Sequence, residues 1–394
     1  MPDSLQRWMR EVSRLTQSGR FAKAAQFIQQ SMVGAPVEPS STNPETVIEL
    51  PMSDATTVPS TQPTSATEPH AVTPEQASHQ GVSLAGQHTE AGLTRAYILY
   101  LPPAVASPAL PASIPLVVML HGCSQSPDDF ATGTAMNELA CERGFAVLYP
   151  AQAQDANAGR CWNWYEPGHQ QRGSGEPAVL ASLTQSVITQ HGLDARRVYV
   201  AGLSAGGAMA AILGQAYPDL YAAVGIHSGL ASGAASDLMS ALSAMKHGRS
   251  AAPTESMNDK DIEPAAKARS ASQPVPTIVF HGDSDGVVHP DNGMRAIEAA
   301  IASGELDIMD STAPMAVVEQ GVSPKGRGYT RTTHPHAEIH LNQAEHWLLH
   351  GGGHAWSGGS AQGSFTDPDG PDATREMWRF FSSHAQPERR SARG

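Results

Sequence analysis

The sequence predicts an α/β fold, a mostly parallel central sheet with helices on both faces. Two observations carry this. Short apolar runs recur along the chain: RAYILYL at 95–101, PLVVMLHG at 115–122, GFAVLYP at 144–150, RVYVAGLS at 197–204, AAVGIHSG at 222–229 and PTIVFHGD at 276–283. Several are rich in Val or Ile and end near Gly or Pro, as buried parallel strands do. Between them lie stretches of helical character at 129–143, 176–191 and 206–217. Strand and helix in alternation imply a sheet covered on both sides. Ligands of such sheets bind beyond the carboxyl ends of the strands, where the chemistry-bearing motifs of this chain fall.

Three regions are expected. In residues 1–33, Leu5, Trp8, Met9, Val12 and Leu15 recur at helical spacing. They form one apolar stripe, either an appendage packed on the main domain or a docking element. Residues 34–90 are rich in Pro, Ser, Thr, Ala and Glu and carry no apolar period. Such a segment buries too little surface to offset its ordering entropy, so a disordered linker is expected. Residues 91–386 form the α/β domain, with a second polar stretch at about 247–274 read as a loop within it.

Composition excludes several classes. The formal net charge is -13 over 394 residues. No basic stripe exists to displace counterions, so a nucleic-acid partner is not expected. No run approaches the ~18 apolar residues of a membrane span. The start, MPDSLQRWMREVSRL, lacks the apolar core of a signal peptide, so a cytoplasmic location is expected. The three cysteines, Cys123, Cys141 and Cys161, are too few for a disulfide-stapled secreted domain.

Gly202-Leu203-Ser204-Ala205-Gly206 is a G-x-S-x-G turn between a strand and a helix. This is the nucleophile elbow of the α/β-hydrolase fold. The turn lifts the Ser204 hydroxyl above the sheet, and the Ala205 N–H is an oxyanion donor. A serine nucleophile needs a base, and the base needs an orienting acid. HGDSDGVVHP at 281–290 offers Asp285, which sits deeper in the loop, with Asp283 as the competing choice. HWLLHGGGHAWSGG at 346–359 offers His354 behind three glycines. His350 competes, but it ends an apolar strand and is expected to pack there. His334, His336, His340 and His346 alternate along strand-like sequence without a ligand motif. They read as a solvated strand face, so no metal site is expected.

His121-Gly122-Cys123 ends another strand, and the Cys123 N–H is the second candidate oxyanion donor. Whether Cys123 pairs with Cys161 is left open. Cys141 falls in a helix and is expected to be a small buried hydrophobe. Trp162, Trp164, Tyr165 and Trp356 are expected either to line a substrate wall for apolar esters or to be ordinary core.

LHGCSQ at 120–125, CWNWY at 161–165, GLSAGGAM at 202–209, HGDSDGVVHP and HGGGHAWSGG together resemble the catalytic domain of polyhydroxybutyrate (PHB) depolymerases. Feruloyl and acetylxylan esterases share part of this pattern. The resemblance covers about residues 92–383. It implies a Ser204–Asp285–His354 triad, an oxyanion role for Cys123, no cofactor, and a polyhydroxyalkanoate polymer, its oligomers or a granule surface as partner. Secreted depolymerases carry a signal peptide and a polymer-binding domain, neither of which is recognised here. The amino-terminal helix resembles that of intracellular members, which implies action on amorphous storage granules.

Overall fold

The computed structural model describes residues 81–103, 113–248, 275–302, 315–335 and 342–387. The helical segment expected at 1–33, most of the linker expected at 34–90, His336, His340 and the loop beyond residue 248 lie outside the described residues.

Along the chain run β1 (Val82–Glu90), β2 (Leu93–Leu101), β3 (Leu116–Leu120), α1 (Pro127–Thr134), α2 (Met136–Arg143) and β4 (Ala146–Pro150). Next come α3 (Gly175–His191), β5 (Val198–Leu203), α4 (Ala205–Ala216), β6 (Ala223–His227), α5 (Leu238–His247) and β7 (Thr277–Gly282). The remainder is α6 (Asp291–Ala302), β8 (Val317–Val322), β9 (Gly328–Pro335), β10 (Asn342–Leu349), β11 (Trp356–Ser357), β12 (Thr366–Asp367) and α7 (Ala373–Ser382).

Ten strands form one sheet in the order β1-β2-β4-β3-β5-β6-β7-β10-β9-β8. The six from β4 to β10 are mutually parallel. Antiparallel strands extend both margins, β1 and β2 at one and β9 and β8 at the other. The reason is visible in β3. Leu116, Val118 and Leu120 enter one buried cluster with Leu180 and Leu183 of α3 and Met209 and Leu213 of α4. Val117 and Met119 enter the other, with Phe130 of α1, Leu139 of α2 and Met377, Phe380 and Phe381 of α7. Apolar side chains at both parities require cover on both faces.

One boundary moves. Residues 82–90, expected as the end of the linker, form β1, paired with β2 from Val82 opposite Leu101 to Glu90 opposite Leu93. β1 is an edge strand whose side chains are largely exposed. Backbone pairing and the turn at Gly92 (φ 79°) hold it, so its composition resembles that of a linker.

Candidate active site

The site is built where β3, β5, β6 and β7 end. Leaving β5, the chain turns at Ser204, whose φ is 58° and ψ -119°. The Ser204 N–H donates to the His227 carbonyl at 2.9 Å, which fixes the elbow against the end of β6. The flanking glycines are demanded by space. A Cβ on Gly202 would lie 2.4 Å from the Gly206 backbone, and one on Gly206 would lie 2.0 Å from the Leu120 carbonyl oxygen. Gly206→Ala therefore forces β3 and the elbow apart. The expected cost is about 1–3 kcal/mol, a fall in Tm of roughly 2–12 °C, with reduced kcat/KM. An alanine variant with unchanged melting and unchanged rates would show that the elbow does not depend on this contact.

Ala205 opens α4, so its N–H is one of the four at a helix start without an intrahelical partner. On the other side, a Cβ at Gly122 would lie 3.6 Å from Ser204 Cβ. The Cys123 loop thus runs beside the serine. Gln125 holds it there: its Oε1 accepts from the Gly122 N–H at 2.9 Å, and its Nε2 donates to Asp129 at 3.0 Å. Cys123 and Cys161 are joined by a disulfide with Cα atoms 4.2 Å apart.

Asp285 and His354 meet. His354 Nδ1 lies 2.7 Å from Asp285 Oδ2, while Asp285 Oδ1 accepts from the N–H groups of Val287 and Val288 at 2.8 and 2.9 Å. Burial alone would raise the Asp285 pKa, but hydrogen bonds from His281 and His354 and their charges hold it far below the usual carboxylate range. The competing residues also meet. His350 Nδ1 lies 3.2 Å from Asp283 Oδ2, and Asp283 Oδ1 accepts from the Gly351 N–H at 2.7 Å. His350 Nε2 lies 3.0 Å from Thr330 Oγ1. The two loops are thus joined by an inner Asp–His rung, buried, and an outer one, exposed.

His121 and His227 flank the serine from adjoining strand ends, and both are buried. Burial lowers the His121 pKa to about 4 and the His227 pKa to about 3. Their hydrogen bonds fit neutral rings. His121 Nδ1 donates to the Gly122 carbonyl and Nε2 accepts from Gln152 N–H; His227 Nε2 accepts from Ser357 N–H. Sequence reading did not single out His227, because a lone histidine at a strand end carries no motif.

Several expectations are corrected. Trp162, Trp164 and Trp356 do not form an exposed wall, being 0%, 5% and 1% accessible. Trp162 donates Nε1–H to the His121 carbonyl, and Trp356 stacks on His227 at 5.1 Å and meets Phe130 edge-on. Their rings support the loops from below, since a large ring placed over the sheet ends gains most by burial. His350 is exposed rather than packed in its strand, because β10 ends at Leu349 and the chain turns outward. His346 is buried, not on a solvated face, and burial lowers its pKa to about 4. Cys141 is only partly buried. Among the described residues, no group of three or more His, Cys, Asp or Glu side chains is placed to hold a metal ion. No helix among them is long and apolar enough to cross a membrane.

Fold and site geometry together define an α/β-hydrolase. Residues 95–310, more than half of the chain, match the family model described as esterase PHB depolymerase. The chain belongs to that family. It is 34% identical over 197 residues to poly(3-hydroxyalkanoate) depolymerase C of Paucimonas lemoignei, covering 48% of this chain and 45% of that protein. It is 29% identical over 187 residues to feruloyl esterase B of Thermothelomyces thermophilus, covering 47% and 63%. This chain therefore spans about half the length of the curated relatives it matches. Among solved structures, an acetyl xylan esterase from Aspergillus awamori aligns with a TM-score of 0.54 at 19% identity, over 76% of this chain and 99% of that one. That likeness is one of fold.

Proposed function

We propose that the chain hydrolyses esters of 3-hydroxybutyrate, as polymer or oligomer, through Ser204, His354 and Asp285. The observation that carries this reading is the 2.7 Å contact between His354 and buried Asp285, on loops at the same sheet edge as the elbow. His354 takes the Ser204 proton as the hydroxyl oxygen attacks the ester carbonyl. The N–H groups of Cys123 and Ala205 receive the oxyanion. Asp285 holds the imidazole in the tautomer with Nδ1–H and stabilises the imidazolium. The imidazolium returns its proton to the leaving alcohol oxygen. Water, activated by His354, then cleaves the acyl-enzyme.

The substrate class draws on the depolymerase relatives. Feruloyl and acetylxylan esterases are also relatives, so those esters form the second reading. The Cys123–Cys161 bridge argues for an oxidising compartment and against the cytoplasmic placement expected from the amino terminus. The test is a parallel assay of amorphous PHB, 3-hydroxybutyrate trimer, methyl ferulate and p-nitrophenyl acetate, with wild type and Ser204→Ala. The trimer and polymer are expected to turn over, and Ser204→Ala to lose about 10⁶ in kcat while melting as wild type does. Turnover of ferulate alone would support the second reading. Full activity in Ser204→Ala would refute the nucleophile, and failure of a fluorophosphonate to label Ser204 would favour a non-catalytic polymer-binding protein.

A further inference from the structure

Non-glycine residues with positive φ, among the described residues, gather mostly around the site. Among the described residues, the non-glycine positions with positive φ are Ala91, Ser124, Ala135, Arg160, Ser204, Ser228 and Phe365. Ala91 and Ala135 sit in connecting turns. Four of the others adjoin the site: Ser124 follows Cys123, Arg160 precedes Cys161, Ser204 is the elbow, and Ser228 follows His227. Strained residues gather at functional centres, where the surroundings over-determine them. Phe365 is the remaining one, with φ 52°. A bulky aromatic at positive φ is a genuine outlier.

The surroundings of Phe365 explain what holds it there. Its carbonyl accepts from the Trp356 N–H at 2.7 Å, two residues beyond His354. Ser364, just before it, donates its N–H to Asp129 Oδ1 at 2.9 Å and accepts from Gln125 Nε2 at its carbonyl, 3.1 Å. The same Gln125 holds Gly122 beside Ser204. Phe365 is thus pinned on one side to the loop carrying the base and on the other to the loop carrying Cys123. Despite this, Phe365 does not join the buried cluster of Trp356 and Phe130, and the residue remains 38% accessible. An exposed apolar residue on a strained backbone, tied to both halves of the site, is placed to meet something apolar that arrives there.

We propose that Phe365 determines specificity: its ring is the apolar surface against which the hydroxyalkanoate chain flanking the scissile ester lies. This rests on the esterase reading above. Among the described residues, this exposed aromatic takes the place of the Trp162–Trp164–Trp356 wall expected from the sequence.

The test compares Phe365→Gly, Phe365→Ala and Phe365→Leu with wild type, using 3-hydroxybutyrate trimer and p-nitrophenyl acetate. In the glycine and alanine variants, the ratio of kcat/KM for trimer to that for acetate is expected to fall about tenfold, mainly through KM. Leucine should keep most of the preference. Glycine takes positive φ without steric cost, so Phe365→Gly should melt higher than Phe365→Ala although both lose the same discrimination. An unchanged ratio in an active protein overturns the proposal alone. A uniform loss of rate on both esters, tracking Tm, overturns it in favour of a structural role. A wild type inactive on every ester overturns the esterase reading and this proposal with it.

Discussion

Asp285→Asn is expected to lower kcat by about 10⁴ while leaving the fold in place. The side chain is isosteric, and its oxygen still accepts from the Val287 and Val288 N–H groups as Asp285 Oδ1 does now. The change falls on the other atom. An amide N–H then faces His354 Nδ1, where a carboxylate oxygen stood at 2.7 Å. Two donors cannot share that line, so the imidazole turns to the tautomer with Nδ1 accepting and Nε2 protonated. That ring has no lone pair free to take a serine proton. Steady-state kinetics and a fluorophosphonate labelling rate check the result. A loss of less than about tenfold would remove Asp285 from its proposed role. The pH dependence of stability follows from the same contacts. The Asp285 pKa is depressed on folding, so its contribution is present above the unfolded value of about 3.9. It is lost as pH falls below that value towards the folded pKa. The electrostatic part of the stability difference between wild type and Asp285→Asn should shrink when melting is followed from pH 7 to pH 3.

The outer rung sets Asp283 against His350. Asp283 and Asp285 stand two residues apart, and His350 and His354 four apart. Both pairings fit the loop sequences, though Asp285 sits deeper in its loop and His354 follows three glycines. What distinguishes them is depth: β7 ends at Gly282 and β10 at Leu349, so Asp283 and His350 face solvent while Asp285 and His354 turn inward. Depth of this kind depends on the register of β7 with β10, Gly282 opposite Leu349, which no local motif encodes. The strands were legible because both parities of β3, β5 and β7 are apolar. The turn at Ser204 was legible because an elbow is a local structure. The tryptophans were misread because an aromatic in a motif can serve as wall or as support. Phe365 was invisible within the polar, Gly-rich SAQGSFTDPDG, where only the backbone angle marks it. Glu176 was hidden for another reason. It sits at the start of a predicted helix, where an acidic residue is ordinary.

Glu176 should be costly to alter for stability. It is fully buried at the start of α3, and its carboxylate accepts hydrogen bonds from three residues. Arg95 Nη2 donates at 3.1 Å, the Asn163 N–H at 2.7 Å and Asn163 Nδ2 at 3.0 Å, and Gln152 Nε2 donates to it as well. Burial raises its pKa, but hydrogen bonds from His169, Gln152 and Asn163 more than offset this and hold it ionised. Gln152 also donates to the Cys161 carbonyl at 2.8 Å. The carboxylate therefore gathers the loop bearing Cys161, and through the disulfide it steadies Cys123. Glu176→Gln leaves Arg95 charged and buried and points an amide N–H at a group of donors. The expected cost is about 3–5 kcal/mol, a fall in Tm of roughly 6–20 °C, with lower kcat because the Cys123 N–H is no longer held. These two effects can be separated. Adding Arg95→Met to Glu176→Gln removes the orphaned charge, so much of the lost Tm should return. The glutamine keeps one acceptor oxygen but turns an N–H towards the Asn163 and Gln152 donors on its other side, so kcat should stay low. If kcat recovers in step with Tm, Glu176 serves stability alone.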